Sequence, residues 1–128
     1  MRFVVAMFLF VHGFAHTVGF VVPWRIATLD EAPYKTTILA GRVDLGHTGI
    51  RVVGLIWLLA ALAFFVAGAL LVGRQPQWRL LTLGTTIFSA VLCILGLPES
   101  RFGIAVNIVL LAFMVVGGAF GWLSLLVV

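Results

Sequence analysis

Thr48–Gly73 reads TGIRVVGLIWLLAALAFFVAGALLVG and carries no formal charge after Arg51. A helix needs about 20 consecutive apolar residues to cross the roughly 30 Å hydrocarbon layer of a bilayer. This run exceeds that length and is apolar on every side. Membrane β-strands instead alternate apolar and polar over about ten residues. A helix also satisfies its own backbone hydrogen bonds, which lipid cannot do. The stretch therefore predicts a membrane-spanning helix.

Three more runs of the same kind flank it. Phe3–Val22 has no formal charge and stops at Pro23-Trp24-Arg25, where a helix-ending proline meets an interfacial tryptophan and a cation. Residues 78–97 form another run, closed by Pro98. Residues 102–126 lie in the uncharged stretch Phe102–Val128. The expected fold is all-α, a bundle of four transmembrane helices in one domain covering 1–128. The spans are expected at about 3–22, 48–73, 78–97 and 102–126.

Composition agrees. Of 128 residues, 63% are hydrophobic and 9% charged, against about 45–50% and about 25% in a soluble domain. A soluble fold this small could not hide so much apolar surface. The lipid bilayer is the expected solvent and a multi-pass place in the cell membrane the expected location. The net charge of +4 comes from scattered cations without a basic stripe, so no nucleic-acid partner is expected. Met1-Arg2 followed by Phe3–Val11 imitates a signal peptide, with Gly13-Phe14-Ala15 as a faint cleavage site. The apolar run continues to Val22, so it is read as a span.

Residues 74–77 and 98–101 are short turns that force antiparallel neighbours. The first connection, Pro23–His47, is long and holds Arg25, Asp30, Glu31, Lys35, Arg42 and Asp44. It is expected to cap the bundle, with a short helical or interfacial piece around Pro33–Gly41. By raw count, positive charge favours loops one and three inside. Loop one is partly neutralised and suited to build a site, so both termini are expected in the cytoplasm.

Helix direction places the polar residues. At 1.5 Å per residue, His16 lies about 9 Å and His12 about 15 Å below the loop-one surface. His47 and Arg51 start the second span, while Cys93 and Asn107 lie near loop three. Burying such groups is costly unless they face each other, water or a ligand. A polar-bottomed pocket opening towards loops one and three, with loop one as its lid, is the expected site. Its expected ligand-binding residues are His12, His16, His47, Arg51 and Asn107. The expected ligand is a small amphiphile, a quinone or a lipid.

His12 and His16, at i and i+4, share a helix face. They also suit a transition metal, with His47 or Cys93 as third ligand. The alternative is that both rings bond to neighbouring groups and help pack the first helix. Arg51, Asp44 and His47 read as a charge group that anchors an anionic head group, or as an interfacial Arg51 paired with Asp44. Glu99 and Arg101 read as a solvated pair flanking the turn. Gly117 and Gly121 make a G-x-x-x-G suited to a homodimer or to close packing within the bundle. No C-x-x-C, G-x-S-x-G, H-E-x-x-H or phosphate loop is present.

The segment Phe8-Leu9-Phe10-Val11-His12-Gly13-Phe14-Ala15-His16, running on to Gly19, resembles the first helix of the DoxX-like membrane proteins. Members of that family start with an apolar run, a His-Gly pair, and a basic residue and glycine shortly after. The four-helix layout with a longer first connection is also similar. His16 here stands where that family carries Lys or another basic residue. The resemblance implies a four-helix bundle, some members of which are linked to quinone- or sulfur-related redox complexes. It implies no established catalytic set, and only His12, Gly13 and Gly19 carry over.

Three readings of function follow. One is an accessory or redox-linked subunit that binds the amphiphile. Another is a His-based metal enzyme, and the last is a small dimeric transporter.

Overall fold

A computed structural model describes residues 1–128. Helix α1 (Arg2–His16) continues through Thr17 into the short α2 (Val18–Val21). A two-stranded hairpin follows, β1 (Thr37–Ile38) and β2 (Val43–Asp44). Then come α3 (Gly46–Val72), α4 (Trp78–Leu95), α5 (Arg101–Ala119) and a final 3₁₀ turn, Trp122–Leu126. Four segments are long and apolar enough to cross a bilayer: Arg2–Val21, Gly46–Val72, Trp78–Leu95 and Arg101–Ala119. Large apolar side chains such as Phe14, Leu80 and Ile108 stand exposed on their outer faces. Water would penalise that surface, whereas acyl chains do not. The chain is a four-helix, multi-pass membrane protein.

Spanning helices associate by close packing, because lipid tails are as apolar as leucine. Small residues on α3, Gly54, Ala60, Ala61, Ala67 and Gly68, are buried. They let α1 and α2 lie against α3. Gly19 shows how close: a Cβ there would stand 2.3 Å from the Trp57 ring. Packing then runs α3 on α4 and α4 on α5, while α1 and α5 make little direct helix contact. The bundle is thus an arc with a seam between its first and last spans.

At the loop-two end the arc is filled. Leu9, Phe64, Leu71, Trp78, Leu110 and Met114 form a continuous apolar core. The 3₁₀ turn folds back over it, burying Leu123 and Leu126. Helix α5 therefore ends at Ala119, short of the expected residue 126. Gly121, at φ 73°, makes the reversal.

Loop one contains a hairpin and no helix near Pro33–Gly41. Leu39 and Ala40 sit at its tip with φ of 52° and 55°, a conformation that L side chains adopt at a cost. The tip is held because Leu39 N–H donates to Leu95 O at 2.8 Å and Ala40 N–H to Leu97 O at 3.1 Å. A helix C-terminus leaves carbonyls without intrahelical partners. Here the lid supplies the donors.

Candidate functional site

The seam is bridged by polar side chains at one level. His12 and His16 point inward and are 6% and 2% exposed, as expected from the cost of leaving imidazole in lipid. His12 Nε2 lies 3.2 Å from Asn107 Oδ1 on α5. Asn107 Nδ2 donates to Ser89 Oγ on α4 at 2.8 Å and reaches Cys93 Sγ at 3.5 Å. Ser89 Oγ is 2.6 Å from His16 Nε2, and His16 Nδ1 donates to the His12 carbonyl at 2.9 Å. Three spans are thereby joined through one buried network. Phe64 and Trp57 of α3 pack on the rings, with centroids 4.7 Å (Phe64–His12) and 5.2 Å (Trp57–His16) apart.

Above this network the helices part around a cavity of about 530 Å³. Its floor is formed by His12, His16 and Cys93, and its walls by Trp57, Phe102 and Val106 among others. Glu31, Lys35 and Glu99 stand at its upper rim. The volume lies within the usual range for small-molecule sites, roughly 300–1,000 Å³. A second, mostly apolar groove of about 610 Å³ lies between α3 and α4, against Leu59, Leu80 and Phe88. Leu59 and Leu80 are exposed, so this groove is on the lipid-facing surface and is read as part of it.

Loop one roofs the cavity. Lys35 Nζ pairs with Glu99 at 2.5 Å and also donates to Leu97 O at 3.4 Å. This is the chain's one ion pair. It corrects the expectation that Glu99 pairs with Arg101 across the turn. A loop-one cation reaches the carboxylate first and ties loop one to loop three.

Two expected ligand residues lie elsewhere. The His47 ring stacks on Tyr34, and its Nδ1 is 2.7 Å from the Tyr34 hydroxyl. Arg51 is exposed, with its guanidinium over the Trp24 ring and its carbonyl accepting from Trp24 Nε1 at 3.0 Å. Both sit at the aqueous end of α3, where no desolvation cost drives them inward. The expected charge group also separates. Asp44 accepts from Gly46 N–H at 2.9 Å. That bond, with a second from Thr36, holds its carboxyl below the usual range.

The three-histidine metal set is therefore not assembled, because His47 faces water on the outer side. No three His, Cys, Asp or Glu side chains converge to hold a metal ion. The glycine pair also separates. Gly117 is buried on α5, where a Cβ would meet Leu123 at 2.8 Å, while Gly121 lies beyond the helix end. The two do not form one helical face, and Gly117 serves packing within the chain.

Residues that sequence reasoning missed are as informative. Ser89, Lys35, Glu99 and Trp57 all belong to the site. A signal for Ser89 existed in Thr82, Thr86, Ser89 and Cys93, which recur at helical spacing on one face of α4 and are all buried.

Gly13 and Gly19 of the first-helix motif both mark close approach of α3. The chain matches no protein-family model, no curated protein and no solved structure. The DoxX-like resemblance thus rests on that motif and the layout, and function must be argued from the site.

Proposed function

We propose that the chain binds one small amphiphile, a quinone or a lipid-like molecule, in the cavity beneath loop one. It acts as an accessory or redox-linked subunit of a larger membrane assembly, as the DoxX-like resemblance implies. The observation that carries this reading is the amphipathic cavity itself. A floor of hydrogen-bonding groups lies deep in the bilayer under apolar walls. A tail would leave towards lipid between α1 and α5, which make little direct contact and both line the cavity. Such a shape suits a molecule with a polar head and an apolar tail better than a free solute from water.

The accessory role follows from what the floor holds. Histidine and cysteine are there, with Ser89 and Asn107 sealed beneath as their hydrogen-bond partners, and the floor has no carboxylate and no three-ligand metal set. Redox chemistry would then belong to the bound molecule, with the protein supplying position and hydrogen bonds. The termini are read as cytoplasmic. In this reading Lys35, paired with Glu99, and Arg25, over the Tyr34 ring at 4.4 Å, hold the lid rather than set orientation.

A photoactivatable quinone analogue with an alkyl tail tests the proposal, applied to membranes that contain the protein. Labelling should map to the segments around Trp57 and Val106 and be competed by unlabelled analogue. Labelling confined to outward residues such as Leu80 and Ile108, without competition, would remove the proposal.

A further inference from the structure

The hydrogen bonds at the cavity floor have a direction. A carbonyl oxygen only accepts, so His16 Nδ1, 2.9 Å from the His12 carbonyl, carries a proton. In the neutral ring His16 Nε2 is then bare, and the Ser89 hydroxyl 2.6 Å away donates to it. With its hydrogen committed, Ser89 Oγ accepts from Asn107 Nδ2, as observed at 2.8 Å. This leaves Asn107 Oδ1 facing His12 Nε2 at 3.2 Å. An amide oxygen also only accepts, so His12 carries its proton on Nε2. The neutral His12 ring therefore has a bare Nδ1.

That nitrogen has no partner in the protein. It is also not sealed. The buried side-chain atoms lacking a partner are Arg2 Nε, Trp78 Nε1, Arg79 Nε and Thr82 Oγ1, and His12 lines the cavity. No carboxylate shares the floor, so a neutral ring is the state of lower cost at this depth. The network of α4 and α5 thus presents one fixed acceptor to whatever enters.

We infer that the cavity selects amphiphiles whose head group donates a hydrogen bond, a phenol- or hydroquinone-type hydroxyl, to His12 Nδ1. Asn107 and Ser89 are positioning residues that set the tautomer. This rests on the amphiphile reading above and names the chemistry of its ligand. Molecules of the same shape that only accept, such as aryl ethers, find at best the weak Cys93 S–H as a donor, because the hydrogens of His12 Nε2, His16 Nδ1, Ser89 and Asn107 are already committed.

The test compares 4-nonylphenol with 4-nonylanisole, which differ by the hydroxyl hydrogen and one methyl. Binding to the full-length protein in nanodiscs is followed by tryptophan fluorescence. Wild type should bind the phenol about tenfold tighter, as expected for one neutral hydrogen bond at a desolvated site. His12→Gln keeps a donor towards Asn107 but moves the acceptor off the Nδ1 position to its own amide oxygen, and the preference should fall to about twofold or less. His12→Asn keeps an acceptor near the Nδ1 position and should retain part of the preference. Equal binding of both probes to wild type overturns the inference and leaves the amphiphile reading standing. No binding of either probe overturns both. ¹⁵N NMR of histidine-labelled wild type gives a readout independent of variants. His12 should be protonated on Nε2 and His16 on Nδ1, and the reverse at His12 contradicts the inference.

Discussion

Asn107 on α5 and His12 on α1 meet across the seam of the bundle, amide oxygen to ring nitrogen, at 3.2 Å. Little else joins these two helices at that level. Replacing Asn107 by leucine leaves His12 Nε2 without its acceptor and Ser89 without its donor. A buried polar group left unpaired costs about 1–3 kcal/mol, although interhelical bonds in membranes average only about 0.6 kcal/mol by double-mutant cycle. Asn107→Leu should lower stability in a detergent unfolding titration. A His12/Asn107 cycle should give a coupling of about 0.5–1.5 kcal/mol, and additive single effects would show that the contact is energetically silent.

Thr82 should behave in the opposite way. It is fully buried and its hydroxyl oxygen has no partner. Thr82→Val keeps the shape and removes the unpaired oxygen, a change expected to be neutral or stabilising by up to about 1 kcal/mol. Ser89→Ala on the same helix face should destabilise, since Ser89 links His16 and Asn107. Thermal denaturation of the two variants side by side checks this. Equal losses would show that burial alone governs this face.

The Lys35–Glu99 pair should govern the lid more than global stability. Its side chains are 29% and 24% exposed, and pairs near water contribute about 0–1 kcal/mol. Glu99→Gln should leave the unfolding midpoint nearly unchanged while speeding hydrogen exchange at the Leu39 and Ala40 amides. Raised salt should do the same to wild type. If those amides stay protected in Glu99→Gln, the backbone bonds to Leu95 and Leu97 hold the lid by themselves.

Asp44 gives the start of α3 an acid limit. Its carboxyl is held below the usual range by the Gly46 N–H and by Thr36. A depressed carboxylate pKa contributes stability above the ordinary value of about 4, and the contribution is lost as pH falls through the folded value. Exchange at the Gly46 amide should be insensitive to Asp44 ionisation between about pH 5 and 8 and should open only below about pH 4. Asp44→Asn should remove that acid step. A step of equal size in the variant would assign it to another group.

Much of this fold was legible in sequence because lipid leaves few choices. An apolar run as long as Thr48–Gly73 must be helical, and imidazoles at the depth of His12 and His16 must face inward. Ends and loops were less legible because local sequence does not decide them. The lid hairpin carries Leu39 and Ala40 where a turn favours glycine or asparagine, and α4 carbonyls hold it there. Helix α5 stops early because Leu123 and Leu126 gain more by covering the core than by extending into lipid. His47 and Arg51 were expected in the pocket, but at the interface water competes for them and wins. Ser89 was passed over because a single hydroxyl in a span is cheap to satisfy on its own helix, whereas its register with Thr82, Thr86 and Cys93 marks an inward face.

The most direct measurement is native mass spectrometry of protein released from mild detergent, wild type beside a Val106→Trp variant that fills the cavity. Wild type is expected to carry one amphiphile of defined mass per chain, and the variant to have lost it while remaining folded by circular dichroism. The same bound species in both proteins, or none in wild type after gentle extraction, would contradict the cavity as a binding site.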